Sequence, residues 1–361
     1  MKNHKNEDAF LELLRCGIWG NTPNSEIFKE LTHFDWLEIY MIAGKQTVLG
    51  VCLKSIMDLP TNMRPPTKLL LQWIGVNRFI EANNYKKMKV WKELNAKFEA
   101  VGIFPVVLKG MTVAKWYAHP MSRQSSDIDI FIPERFDECI SILNSWGIKG
   151  KHKRQHDTIV YKGVTIEIHP EIMTTPYKPK MDFTIVNEPV GDMSLRVLDA
   201  NINSILLLSH AAGHFLIPGI GYRFLCDWAV FLKNNHEKID CELVLKEARR
   251  MGMNRFVTEF SELARVELGL DFPGLEKWTK GSNKKYLLRL SEELFEQGDF
   301  GAVNFQKDFK GNKFKFAWHI IKSLLLSRYY WPKLFWRRAP KFMFKLIQGY
   351  VIGLLSIDSH D

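Results

Sequence analysis

Two aspartates one residue apart, Asp127 and Asp129, lie in the segment DIDIFI, where Ile128, Ile130 and Ile132 alternate with Asp127, Asp129 and Phe131. A period of two is that of a β-strand, so both carboxylates point to one side while the isoleucines anchor the other. Carboxylates arranged in this way can hold divalent metal together, and two-metal phosphoryl transfer needs such a pair plus a third acid from a neighbouring strand. Glu167 in VTIEIH fits the third position, because Thr165, Glu167 and His169 share one face and Ile166 and Ile168 the other. A lone D-x-D on a solvated strand is most often plain surface, so its weight comes from this context.

Histidines supply a second set of candidates. His169 is either a metal ligand beside Glu167 or a hydrogen-bonded group at a strand end. His210 and His214 are spaced i, i+4 and share a helix face, the spacing of a two-histidine metal site, although no H-E-x-x-H glutamate lies between them. Their two readings are half-buried helical histidines facing the sheet, or the lining of an acceptor pocket. Arg223 and Asp227, also i, i+4, predict an intrahelical ion pair.

The elements that must position these groups follow from periodicity. Residues 1–87 have helical apolar clusters around Leu11 to Ile18, Trp36 to Ile42 and Leu69 to Ile80, broken at Pro60, Pro65 and Pro66, and carry no chemistry. Val90, Leu94, Phe98 and Val101 predict a helix over 88–101 that ends near Gly102. IFPVVLKG predicts a buried strand, and a helix follows from Lys109 to about Ala118. A loop with Pro120, Ser122, Arg123, Ser125 and Ser126 then enters DIDIFI. Pro133 opens a helix closed by Gly147, and TIVYK and VTIEIH predict a hairpin turning at Lys162 and Gly163. Further helices are expected at 199–216, 222–234, 240–251 and 254–268, with Gly252 and Gly269 as C-terminal caps. The implied organisation is a helical region over 1–87, an α/β core over 88–194, a helical domain over 195–300 and a basic aromatic segment over 301–361.

VVLKGMTVAKWYAHPMSRQSSDIDIFI, followed by VTIEIHPEI, resembles nucleotidyltransferases related to the DNA polymerase beta superfamily. That family is often found beside bacterial surface polysaccharide or peptide biosynthesis. The resemblance spans about residues 100 to 172 and extends more loosely through LLLSHAAGHF and RFLCDWAVFL to about 232. It implies an α/β (α+β) core with a small mixed sheet and helical flanks, and transfer of an NMP group from an NTP to an acceptor with two Mg²⁺ ions on Asp127, Asp129 and Glu167. The superfamily's Gly-Ser at a helix start is replaced here by Lys109-Gly110, and the spacing to Asp127 is longer. Lys109 and Gly110 at that helix start would meet a triphosphate with charge, backbone N–H groups and the helix dipole. Arg123 and Ser126 in the loop are further nucleotide-binding candidates, the alternative for Arg123 being an ion pair with Asp127 or Asp129 that orders the loop.

Composition bounds the rest. The 361 residues are 46% hydrophobic and 25% charged, an ordinary globular balance, and five scattered cysteines with no C-x-x-C suit a reduced cytoplasm without structural zinc. The charged N-terminus and the lack of a long apolar run argue against secretion and membrane spanning. A formal charge of +10 points to an anionic partner. Between Asn312 and Ile357 there is no acid, while cations alternate with aromatics, so 313–357 suits the anionic inner face of a membrane, with nucleic acid or a packed hairpin as alternatives. Two other functions compete with transfer: a non-catalytic nucleotide-binding scaffold at the membrane surface, and a metal-dependent hydrolase using His169, His210 and His214.

Overall fold

The computed structural model describes residues 4–299 apart from 153–155, 174–177 and 217–218. The chain begins with α1 (His4–Trp19), α2 (His33–Lys45), α3 (Leu49–Asp58) and α4 (Thr67–Ala100). The sheet region follows as β1 (Val106–Leu108), α5 (Gly110–Ala114), β2 (Asp127–Phe131), α6 (Phe136–Ser145), β3 (Gly150–His152), β4 (Asp157–Tyr161), β5 (Val164–His169), β6 (Ile185–Val190) and β7 (Met193–Leu198). Helices then return as α7 (Ala200–Leu216), α8 (Tyr222–Asn235), α9 (Cys241–Arg250), α10 (Asn254–Leu268), α11 (Glu276–Thr279) and α12 (Lys284–Gln297). This is a mixed α+β fold with a small mixed sheet and helical flanks, as the motifs imply.

DIDIFI forms β2 because its isoleucines have a core to enter. The five-stranded sheet runs β1-β2-β5-β4-β3, with β2 and β5 parallel and the other neighbours antiparallel. Ile128, Ile130, Ile166, Ile168 and Ile159 point to one side and join Val90, Trp91, Leu94 and Phe98 of α4 and Cys139 and Leu143 of α6 in one apolar cluster. The opposite side carries Val106, Leu108 and Phe131 into a second cluster shared with α3, α7, α8 and α10. A polar strip, including Asp127 and Asp129, therefore shares the sheet face that turns toward the helical part of the molecule.

The β4–β5 hairpin turns at Lys162 and Gly163, both with positive φ (49° and 71°), the left-handed pair that a tight two-residue turn requires. Gly269 adopts φ 68° at the end of α10, where a left-handed cap was expected.

Two expectations need correction, and one feature was missed. The helix predicted to start at residue 88 is the second half of α4, which runs unbroken from Thr67 and crosses the division drawn after residue 87. The helix predicted from Lys109 to Ala118 is only the five residues of α5, because Trp116 and Tyr117 donate to Val113 and Ala114 in tighter i→i−3 bonds before Pro120. The β6–β7 hairpin was not foreseen; it turns at Gly191, whose φ is 61°, and β7 packs along β1. Residues 313–357 lie outside the described residues, and no described helix is long and apolar enough to cross a membrane.

Candidate active site

Register decides which side chains meet. Parallel pairing sets Asp127 beside Thr165 and Asp129 beside Glu167, so the three acids stand on one face of two adjacent strands. Phe131 pairs with His169, which puts that imidazole on the same face one step further along.

Asp129 is the hub. Lys109 Nζ lies 3.2 Å and His169 Nε2 2.9 Å from its Oδ1. Burial alone would raise its pKa, but Lys109 and His169 outweigh that and hold the carboxyl well below the usual range. Asp129 is thus an anion at any pH a cell reaches. Glu167 lies 3.1 Å from His156 Nε2, and the ligand atoms of His156, Glu167 and His169 fall within 4.8 Å of one another. Oxygen donors on adjacent strands are of the type that a hard divalent cation takes, although among the described residues the ligand atoms grouped closely enough to hold an ion are those of His156, Glu167 and His169, without Asp127 or Asp129.

Lys109 occupies an unusual backbone position, with φ 49° and ψ −131° at the entry to α5. Glycine holds that region at little cost and lysine does not, so Lys109 stands where a glycine would fit more easily. The strain is offset by its ion pair and by Thr112, whose hydroxyl and N–H both bond to the Lys109 carbonyl at 2.6 and 2.8 Å. Its ammonium therefore reaches the carboxylates from a fixed turn.

The loop before β2 is gripped from α4. Ser122 donates to Glu81 at 3.0 Å, Asn84 donates to the carbonyls of Met121 and Arg123 at 2.8 Å each, and Lys87 donates to the Ser125 carbonyl at 2.7 Å. Glu81, Asn84 and Lys87 are three residues apart and so lie along one side of the helix. Burial, then Arg123, lowers the Lys87 pKa to about 8, with Asp127 pulling it back up. Gly50 of α3 completes the grip, because a Cβ there would sit 2.3 Å from the Ser122 carbonyl.

Arg123 is not placed on the carboxylates. It is buried at 3% exposure and forms a fork on Asp227 of α8, with Nε–Oδ1 at 2.7 Å and Nη2–Oδ2 at 2.5 Å. Tyr117 donates to the same Oδ1 at 2.7 Å. The predicted Arg223–Asp227 pair is a long 3.8 Å, since Arg223 turns its guanidinium to Asp299 at 2.7 Å. Arg123 thus ties the loop before β2 to α8, through Asp227 rather than through Asp127 or Asp129.

His210 and His214 stack edge to face at 4.7 Å, against Phe224. Burial lowers both pKa values, His210 well below its ordinary value and His214 to about 4, with Lys109 and Arg223 adding to the effect. Neither ring is in the described His/Glu cluster, where His156 joins His169 instead. Among the described residues, the grouped ligand atoms do not join His169 to His210 and His214 as the hydrolase reading requires. Because the folded pKa values lie below the unfolded ones, stability is complete above about pH 6.5 and falls as pH drops toward 4, by about 1.4 kcal/mol per pH unit for each histidine. Melting temperatures between about pH 7.5 and 5 should fall more steeply in the wild type than in His214→Gln; equal slopes would mean that His214 is not buried neutral.

His156 and Lys87 escaped the sequence reading. For His156 the signal existed: it precedes Thr158 by two residues and so shares its face of the strand. For Lys87 no local signal existed, as it lies in a polar stretch of α4.

A family model described as uncharacterised nucleotidyltransferase matches residues 32–269, about two thirds of the chain. The chain belongs to that family. The match takes in α2 to α10 and so spans the part of this chain that holds the α4 grip, the carboxylate strands and the Arg123–Asp227 pair. No curated protein sequence matches the chain. A crystal structure of an antigenic nucleotidyltransferase-like protein from Paracoccidioides brasiliensis aligns with a TM-score of 0.35 at 14% identity, over 51% of this chain and 92% of that one. That likeness is too low to argue from.

Proposed function

We propose that this nucleotidyltransferase moves an NMP group from an NTP to an acceptor at the face shared by Asp127, Asp129 and Glu167. The observation that carries the reading is the register of Asp129 against Glu167 on parallel neighbours, with an ionised Asp129 between Lys109 and His169. When bound there by Asp127, Asp129 and Glu167, divalent cations such as Mg²⁺ supply charge that neutralises the triphosphate and acidifies the acceptor.

The chain's own groups do the rest. Lys109, held at the α5 entry, exchanges its contact with Asp129 for a phosphate oxygen as nucleotide enters. Gly110 and Ser126 would offer the nucleotide a backbone N–H and a hydroxyl, while Lys87 and Asn84 keep the loop fixed. The acceptor oxygen bonds to the α-phosphorus, the bond to the bridging oxygen breaks, and pyrophosphate leaves with that electron pair. Glu167 takes the acceptor's proton. We assign His210 and His214, kept neutral by burial, to the acceptor.

The acceptor is found by incubating the protein with Mg²⁺, the four NTPs labelled at the α-phosphate and fractionated cell extract. Label should move to an extract component with the wild type and not with Asp127→Asn. Absence of transfer from every nucleotide and every fraction would favour a non-catalytic nucleotide-binding protein.

A further inference from the structure

Beyond the carboxylate triad, one side of Glu167 presents nitrogen donors. β4 runs antiparallel to β5 with Asp157 opposite Ile168 and Thr158 opposite Glu167. One step back along that register, His156 comes opposite His169, on the face that carries Glu167. The two rings lie 5.2 Å apart between centroids, and His156 Nε2 reaches Glu167 Oε1 at 3.1 Å.

We propose that His156, Glu167 and His169 form a site for a borderline divalent transition ion such as Mn²⁺, Co²⁺ or Zn²⁺. Their ligand atoms already lie within 4.8 Å of one another, so small rotations bring them around one ion. Two imidazoles and one carboxylate are the donor set of open zinc and non-haem iron sites, whereas Mg²⁺ prefers oxygen. Three protein ligands leave positions for water or a substrate oxygen. Asp129, hydrogen-bonded to His169 at 2.9 Å, would orient that imidazole as an outer carboxylate. The inference rests on the transferase reading only in that Glu167 is shared by both metal sets; binding of the ion itself does not depend on nucleotidyl transfer.

The test is titration of the metal-free, full-length protein with Co²⁺, followed by visible absorption, with Zn²⁺ as competitor. One equivalent should give ligand-field bands that Zn²⁺ abolishes and excess Mg²⁺ does not. His156→Ala and Glu167→Gln should weaken Co²⁺ binding by about tenfold or more, while Asp127→Asn keeps it. Thermal melting identifies any variant that fails to fold, and His156→Gln then replaces His156→Ala. Absence of bands in the wild type, displacement by Mg²⁺, or unchanged binding in a folded His156 variant would overturn the proposal. Bound Co²⁺ with no nucleotidyl transfer would sink only the transferase reading, and Mg²⁺-dependent transfer without a Co²⁺ site would sink only this one.

Discussion

Replacing Asp129 by Asn should lower nucleotidyl transfer by at least about a hundredfold, the scale on which loss of one preorganised electrostatic group acts, while the protein should keep its fold. Asn retains the shape and one acceptor oxygen for Lys109 or His169, now 3.2 and 2.9 Å from the carboxylate, but loses the charge. The acid it removes is the one that Lys109 and His169 hold ionised despite burial. Rate assays with Mg²⁺ and circular dichroism on the same sample separate the two effects. Near-normal turnover by a folded Asp129→Asn protein would move the chemistry elsewhere.

The largest loss of stability should come from a residue far from the chemistry. Asp227→Ala strands the Arg123 guanidinium at 3% exposure and removes the partner of Tyr117. Breaking a buried pair on one side costs about 3–5 kcal/mol, a large share of the 5–15 kcal/mol that holds a typical domain together. Urea unfolding should move by that amount. Removing both charges, as in Arg123→Met with Asp227→Leu, should recover part of it, because an apolar pair no longer buries an unmatched charge. A shift under about 1 kcal/mol in Asp227→Ala would contradict a buried, fully paired Arg123.

What could be read in advance depended on whether a residue's partner was local. The alternation of DIDIFI and VTIEIH, the Lys162–Gly163 turn and the glycine cap after α10 are written in neighbouring residues, and each appears where expected. The continuity of α4 was hidden because its middle turns polar groups inward. Glu81, Asn84 and Lys87 face the loop before β2 and not solvent, so the apolar stripe that marks a helix fades there. Pro189 and the polar pair Asn187 and Glu188 likewise mask β6, whose partner lies across a turn at Gly191. Arg123 and Asp227 are 104 residues apart, and no local pattern announces such a pair.

The acids themselves were legible as a strand pattern, but their relation was not. Alternation puts Glu167 on one face of β5 and leaves open which neighbour that face meets. Parallel pairing with β2, in the register Asp129 to Glu167, supplies the relation. His156 enters only through β4, so the imidazole side of the site depends on three strands at once.

The account is tested most directly by the fate of each phosphorus of the nucleotide. The protein is incubated with Mg²⁺, the responsive extract fraction and the same NTP labelled either at the α- or at the γ-phosphate. Attack at the α-phosphorus predicts that α-label joins the acceptor while γ-label appears only in pyrophosphate, and that Asp129→Asn stops both. Transfer of the γ-label to the acceptor, or its release as free phosphate with no labelled acceptor, would contradict nucleotidyl transfer at Asp127, Asp129 and Glu167.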